Sequence, residues 1–214
     1  MASDGPAVSN ETREEHWNSV YEQRGTAGVS WYQPTPEMSL ALIERLAVPT
    51  NAGIIDIGGG ASRLAASLLA RGFDDLTVLD VSARALELSQ AQLGPDARKV
   101  QWLQEDLLSW SPSRTYDLWH DRAVFHFLID PASQQRYVEL LRAGVALDGH
   151  VILGTFALDG PEECSGLPVA RYDGATLGTV LGTGFVLIDE WQEKHRTPTG
   201  AIQPFTWTAF KREI

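Results

Sequence analysis

The sequence predicts an α/β fold: a mostly parallel sheet with helices on both faces, closed by a C-terminal antiparallel hairpin. Three observations carry this expectation. Short apolar runs alternate with segments of helical period from residue 53 onward. A glycine-rich turn, Gly58-Gly59-Gly60, joins the first such run to the helix after it. The last two runs are joined by Thr197-Pro198-Thr199-Gly200, which leaves no room for a crossover helix.

Taken in order, the polar, acidic residues 1–12 are expected to be disordered, and a single domain is expected over 13–214. It begins with a helical lead-in over 13–48 containing HWNSVYEQRG and Val29-Ser30-Trp31-Tyr32. Thr35 is expected to cap a helix whose first position is Pro36, with Met38, Leu42, Ile43 and Leu46 on one face. The first strand is Gly53–Ile57. A helix from about Ser62 ends at Gly72. Leu76–Asp80 is the second strand, and Ser82 caps a helix closed by Gly94. Val100–Leu103 and Tyr116–His120 are the next two strands. Asp130-Pro131 opens a helix that turns at Asp148-Gly149 into a strand over 150–156. A Gly/Pro-bearing insertion covers 157–172, a short helix follows near 173–182, and Phe185–Trp191 and Phe205–Phe210 form the hairpin. Strands joined by helices of this length imply right-handed parallel crossovers.

Composition narrows the function. The chain has 214 residues and a net charge of -11, with no Lys/Arg cluster, so binding to nucleic acid is not expected. An acidic surface suits a small molecule, or a basic protein partner. The start of the sequence is no signal peptide and no apolar run is long enough to span a bilayer, so no membrane association and a cytoplasmic location are expected, as monomer or homodimer. The one cysteine, Cys164, excludes an intrachain disulfide, and the five histidines lack the spacing of a metal site.

In such sheets ligands bind at the carboxyl ends of the strands, and four ends carry suggestive groups. After strand one, Asp56-Ile57-Gly58-Gly59-Gly60-Ala61-Ser62 lets the backbone approach a ligand closely, with a helix N-terminus behind it. The dinucleotide fingerprint needs glycine at 63, where Arg63 stands, which counts against NAD or FAD. Asp80, followed by Val81, ends strand two, 22 residues beyond Gly58. A carboxylate there can accept from both ribose hydroxyls, or cap the next helix. Glu105-Asp106-Leu107 ends strand three: an acidic group for an adenine amino group with Leu107 over the ring, or a solvated turn. His120-Asp121-Arg122-Ala123 ends strand four, where a substrate-facing loop belongs.

The run IIDIGGGAS, with Asp80 and the Glu105-Asp106-Leu107 step, resembles the motifs of class I S-adenosylmethionine (SAM)-dependent methyltransferases. The resemblance implies a Rossmann-like seven-stranded sheet over residues 53–212. HWNSVYEQRG…VSWY and HDRAVF further resemble the methyltransferase-like group that includes lysine methyltransferases of elongation factor 1A and citrate synthase. WHDRAVFHFL, TFALDGPEECSGLPVARY and HRTPTGAIQPF look like a set of bacterial methyltransferases. The resemblance implies SAM as cofactor and S-adenosylhomocysteine as product. By position, Asp56, Gly58 and Gly60 would shape the methionine pocket, Asp80 with Val81 would hold ribose, and Asp106 and Leu107 adenine. Trp17, Tyr21 and Trp31 would close over the cofactor. Two positions depart from the pattern. Ser62 replaces the third glycine, and Asp121-Arg122-Ala123 stands where the lysine enzymes have Asp-Lys-Gly.

A sulfonium already activates the methyl group, so catalysis is chiefly alignment, which can account for ~7–11 kcal/mol of barrier. A general base adds roughly 10²–10⁴-fold when the acceptor is a hydroxyl or ammonium. Candidates are His120, Asp121 and His126, the last of which, between Phe125 and Phe127, could instead be a packed core histidine. Asp121 could orient substrate, contact the cofactor amino group or cap a turn. Arg122 could bind an acidic substrate or pair with a local carboxylate. From the insertion, Cys164, Arg171 and Tyr172 are substrate-side candidates, although a buried thiol is commonly inert. His195, beside the hairpin turn, could reach the same mouth or sit exposed at its tip. The leading expectation is methyl transfer to O, N or S of a small molecule. The alternatives are protein lysine methylation and a non-catalytic SAM-binding protein.

Overall fold

The computed structural model describes residues 12–214, so residues 1–11 of the segment expected to be disordered lie outside it. A seven-stranded sheet forms the centre, in the order β3-β2-β1-β4-β5-β9-β8. Its strands are β1 (Ile54–Ile57), β2 (Leu76–Asp80), β3 (Val100–Gln104), β4 (Tyr116–Arg122), β5 (Val145–Phe156), β8 (Phe185–Arg196) and β9 (Ile202–Arg212). β1 lies between β2 and β4, parallel to both. β9 runs antiparallel to β5 and β8, as the short 197–200 connection requires.

Burial follows the period of two along each strand. Ile55, Ile57, Trp119 and Leu153 share one apolar cluster with Tyr137, Leu140 and Leu141 of α5 (Pro131–Gly144) and Leu177 and Leu181 of α6 (Gly174–Leu181). Ile54, Leu118, Ile152 and Trp207 share the other with Leu40, Leu42 and Ile43 of α2 (Glu37–Arg45) and Leu64, Ala65 and Leu68 of α3 (Leu64–Leu69). The same alternation puts His120 and Asp121, neighbours in sequence, on opposite faces.

α1 (Arg13–Arg24) is started by a capping box in which Thr12 and Glu15 satisfy each other's backbone amides. Few of its side chains are buried, and polar contacts hold it across the ends of β2 and β3. Asn18 Oδ1 accepts from Ser82 Oγ at 2.7 Å, and Gln104 Nε2 donates to Glu14 Oε1 at 3.0 Å. α4 (Ala83–Leu93) starts at Ser82, whose hydroxyl accepts from Ala85 N.

Several boundaries differ from expectation, and both strands of the terminal hairpin are longer, β8 running to Arg196 and β9 starting at Ile202. α2 starts one residue late, with Pro36 as its N-cap, and Thr35 makes no capping hydrogen bond. β4 runs two residues further, to Arg122, because β5 continues to pair with it. The Asp148-Gly149 turn is a bulge inside β5, which begins at Val145 directly after α5; Asp148 takes a left-handed φ of 62° there. The insertion holds a small hairpin of two-residue strands, β6 (Glu163–Cys164) and β7 (Leu167–Pro168), turned by Ser165-Gly166 at positive φ.

Candidate active site at the strand ends

The loop after β1 turns tightly because Gly58 and Gly60 adopt φ of 61° and 40°, a region that disfavours side chains. A Cβ on Gly58 would overlap Val124 Cγ2, and one on Gly60 would stand 2.7 Å from Asp80 Oδ2 and 2.9 Å from the Tyr21 hydroxyl. The glycines therefore keep open the space between β1, β2 and the loop after β4. Ser62 Oγ accepts from Leu64 N at 3.0 Å, at the start of α3.

A cavity with about 910 Å³ of open space begins there. It is lined by Gly58, Asp80, Val81, Asp106 and Leu107 from the strand ends, Trp17 and Tyr21 from α1, Trp31, and Arg122, Val124, Phe127 and Cys164 from the side opposite β2 and β3. A second, of about 570 Å³, adjoins it through Tyr21, Trp31, Gly58 and Arg122 and reaches Ser39, Asp56, Ser62 and His120. Trp17 packs edge-on against Trp31 at 5.7 Å and Phe127 at 5.2 Å, so one side of the larger cavity is an aromatic wall. Gly60 lines neither cavity; it keeps Asp80 and Tyr21 in place from behind.

Asp80 is buried. Its Oδ1 accepts from Ser82 N at 2.8 Å, while capping of α4 is done by Ser82. Burial, then the nearby Asp56 charge, push the Asp80 carboxyl up to about 7, against the Ser82 and Gly60 amides. Asp106 lines the cavity with its carboxylate engaged, accepting from Arg13 Nη1 at 2.8 Å and from Leu108 N at 2.9 Å.

The three residues expected to act on the acceptor are dispersed. His120 is buried with both nitrogens in use, Nδ1 2.7 Å from Asp56 Oδ1 and Nε2 2.9 Å from Ser39 Oγ. The β1–β4 register sets Asp56 directly beside it. Asp121 lies on the other face, accepting from the Tyr137 hydroxyl at 2.7 Å, Val124 N at 2.9 Å and Phe125 N at 3.1 Å. That is the turn-capping alternative, and desolvation lifts its carboxyl to about 6 despite these bonds. His126 is fully buried and lines neither cavity. Desolvation, then the Arg122 charge, push its imidazole down to about 3. This corrects the expectation of a base at 126: the short turn over Phe125–Phe127 directs the ring into the core, 4.8 Å from the Phe156 ring.

The substrate-side candidates divide likewise. Arg122 and Cys164 line the larger cavity, and burial pushes the thiol up to about 11. Arg122 forms no ion pair among the described residues. The carboxylates near it are taken, Glu193 by Gln33 and Trp207, and Asp56 by His120. Arg171 binds Glu162 at 2.9 Å and the Gly160 carbonyl, bracing the insertion. The Tyr172 hydroxyl accepts from Gln134 and its ring packs on Phe125. Neither residue lines either of these two cavities. His195 is buried rather than exposed at a hairpin tip, because β8 runs on to Arg196 and the imidazole meets the Ser30 carbonyl at 2.8 Å. With the Gln33–Glu193 bond at 2.9 Å, it pins the Trp31 loop to the hairpin.

Sequence reasoning missed Ser39, Val124, Phe127 and Glu193. The apolar run after His120 was a signal for Val124 and Phe127. Ser39 and Glu193 carried none, since long-range packing alone brings them in.

Residues 54–146 match the methyltransferase-domain family. The chain is 28% identical to EEF1A lysine methyltransferase 2 of Danio rerio over 65% of its length, spanning 66%, just under two thirds, of that relative. It is 25% identical to thiocyanate methyltransferase 1 of Arabidopsis thaliana, over 86% of this chain and 78% of the relative. The fold is similar to magnesium protoporphyrin IX methyltransferase from Synechocystis with bound SAM, with a TM-score of 0.72, 15% identity and coverage of 98% and 100%. Residues 54–146 carry a methyltransferase domain. The seven-stranded sheet with its terminal antiparallel pair is the Rossmann-like arrangement expected. Among the described residues, no helix of the methyltransferase domain is long and apolar enough to cross a membrane.

Proposed function

We propose that the protein transfers a methyl group from SAM to an O, N or S atom of a small molecule, with residues 13–214 acting as one cytoplasmic unit. The observation that carries this reading is that one aromatic-walled cavity is lined both by Gly58, Asp80 and Leu107 and by Phe127, Arg122 and Cys164. Donor and acceptor can meet in it, between the strand ends and the loop after β4.

The residues fit the cofactor. Asp80, at the end of β2 and lining the cavity, would receive the ribose hydroxyls. Val81, Asp106 and Leu107 would hold adenine. The left-handed glycine turn leaves backbone within reach of the methionine end beside Asp56 and Ser62. Trp17, Tyr21 and Trp31 cover it. When bound, SAM supplies a methyl electrophile with its leaving group already activated. The chain's own contribution is alignment and exclusion of water.

A second reading is protein lysine methylation. It is supported by three relatives named EEF1A lysine methyltransferase 2 and by the acidic net charge. The test is a coupled assay for S-adenosylhomocysteine release. One arm offers a panel of thiols, phenols and amines, the other lysine-containing elongation-factor peptides. Turnover on the small molecules is expected. Turnover on the peptides alone would replace the first reading by the second. Tight S-adenosylhomocysteine binding without turnover on either would mark a non-catalytic SAM-binding protein.

A further inference from the structure

Among the described residues Arg122 is the one charged side chain with sealed polar atoms lacking a hydrogen-bond partner. Its Nε and Nη2 are closed off from solvent and unpaired, while Nη1 donates to the Trp31 carbonyl at 2.9 Å. The guanidinium stacks 5.0 Å from the Phe205 ring centroid, which fixes its plane. It does not lose its proton in a protein, and the carboxylates near it are engaged elsewhere. A held, charged donor set with two unpaired N–H groups beside a cavity is what an anion site requires before its ligand arrives.

A second observation is independent of the first. The larger cavity offers no general base beside Arg122. No histidine lines it. The Cys164 thiol and the Tyr21 hydroxyl are held protonated by burial. Its carboxylates stand at the ends of β2 and β3, in the part assigned to the nucleoside. An acceptor that must shed a proton finds nothing here to take it.

We propose that Arg122 binds the negative charge of the methyl acceptor, and that this acceptor is a small organic thiolate, already deprotonated when it enters. The proposal rests on the methyltransferase reading above. A thiolate is weakly hydrated and suits walls of Trp17, Trp31, Val124 and Phe127. Its sulfur lone pair forms the bond to the methyl carbon, the electron pair of the broken C–S bond stays on the departing sulfur, and no proton is transferred. The products are a neutral thioether and S-adenosylhomocysteine. An amine acceptor would instead leave a cation beside Arg122, which disfavours lysine.

The experiment is calorimetry at pH 8 on the full chain loaded with S-adenosylhomocysteine. The probes are 4-nitrothiophenolate and its neutral S-methyl ether. The thiolate is expected to bind about tenfold or more tightly than the ether. In Arg122→Met thiolate affinity should fall about tenfold or more with S-adenosylhomocysteine affinity within about twofold, and Arg122→Lys should recover part of the loss because it keeps the charge. Loss of S-adenosylhomocysteine affinity with thiolate binding unchanged would overturn the proposal by assigning the guanidinium to the donor's carboxylate. Equal binding of thiolate and ether by the native chain would also overturn it, and needs no variant to fold. Failure of the native chain to bind S-adenosylhomocysteine would strike the methyltransferase reading instead.

Discussion

Lowering the pH from 8 to 6 should weaken cofactor binding about tenfold, through Asp80 alone. The carboxyl is buried and carries a pKa of about 7, from desolvation first and the Asp56 charge next. Accepting two ribose hydroxyls requires the ionised form. With that pKa the ionised fraction falls from about nine tenths at pH 8 to about one tenth at pH 6, and apparent affinity falls in proportion, by ~1.4 kcal/mol. Calorimetric titration with S-adenosylhomocysteine at pH 6, 7 and 8 measures it. Asp80→Asn keeps an acceptor for Ser82 N but cannot ionise, so its affinity should be lower by ~1–3 kcal/mol at pH 8 and flat with pH. A flat profile in the native chain, or the same slope in Asp80→Asn, would refute this assignment of the carboxylate.

The same group sets a stability profile of opposite sense. Its folded pKa lies above its ordinary value of 3.8, so between these values the folded chain binds more protons than the unfolded one. Stability then falls as pH rises from about 4 through 7, and the full penalty is present above that. Asp80→Asn removes it. The ligand-free variant should resist urea better than the native chain at pH 8, on the order of 4 kcal/mol, with the gap closing near pH 4. A gap independent of pH would show that Asp80 is not held protonated by the fold.

Three further substitutions separate scaffold from chemistry. Gly58→Ala forces a side chain into φ of 61° and against Val124; it should cost ~1–3 kcal/mol of stability and abolish cofactor binding, and unaltered calorimetry would mean the loop adjusts. His120→Ala strands the buried Asp56 carboxylate and should cost ~3–5 kcal/mol by urea denaturation, whereas loss of turnover at unchanged stability would restore His120 as a catalytic candidate. His126→Phe removes an imidazole whose Nε2 has no partner and should leave the pH–rate profile unchanged within a stability change under ~1.5 kcal/mol; a lost limb of that profile would reinstate a base at 126.

Sequence and structure agree best where a local rule suffices. Ser82 and Asp130 cap α4 and α5 as their positions imply, and Gly58, Asp80 and Leu107 meet at strand ends because parallel crossovers return every strand to the same edge. Agreement fails where the partner is distant in sequence. His120 has the composition of a catalytic residue, but a one-residue step along β4 sends it to Asp56 and Ser39, and its neighbour Asp121 to Tyr137 on the other face. His195 reads as a hairpin tip until the pairing continues to Arg196 and Ile202. Arg122 runs the other way. An arginine in an acidic chain is expected to find a carboxylate, yet Glu193 is occupied by Gln33 and Trp207 and Asp56 by His120. Each of these bonds spans 14 or more residues. Together they leave the Arg122 guanidinium beside the cavity without an ion-pair partner among the described residues, so the feature that bears most on the acceptor arises from competition among long-range partners, which no local motif records.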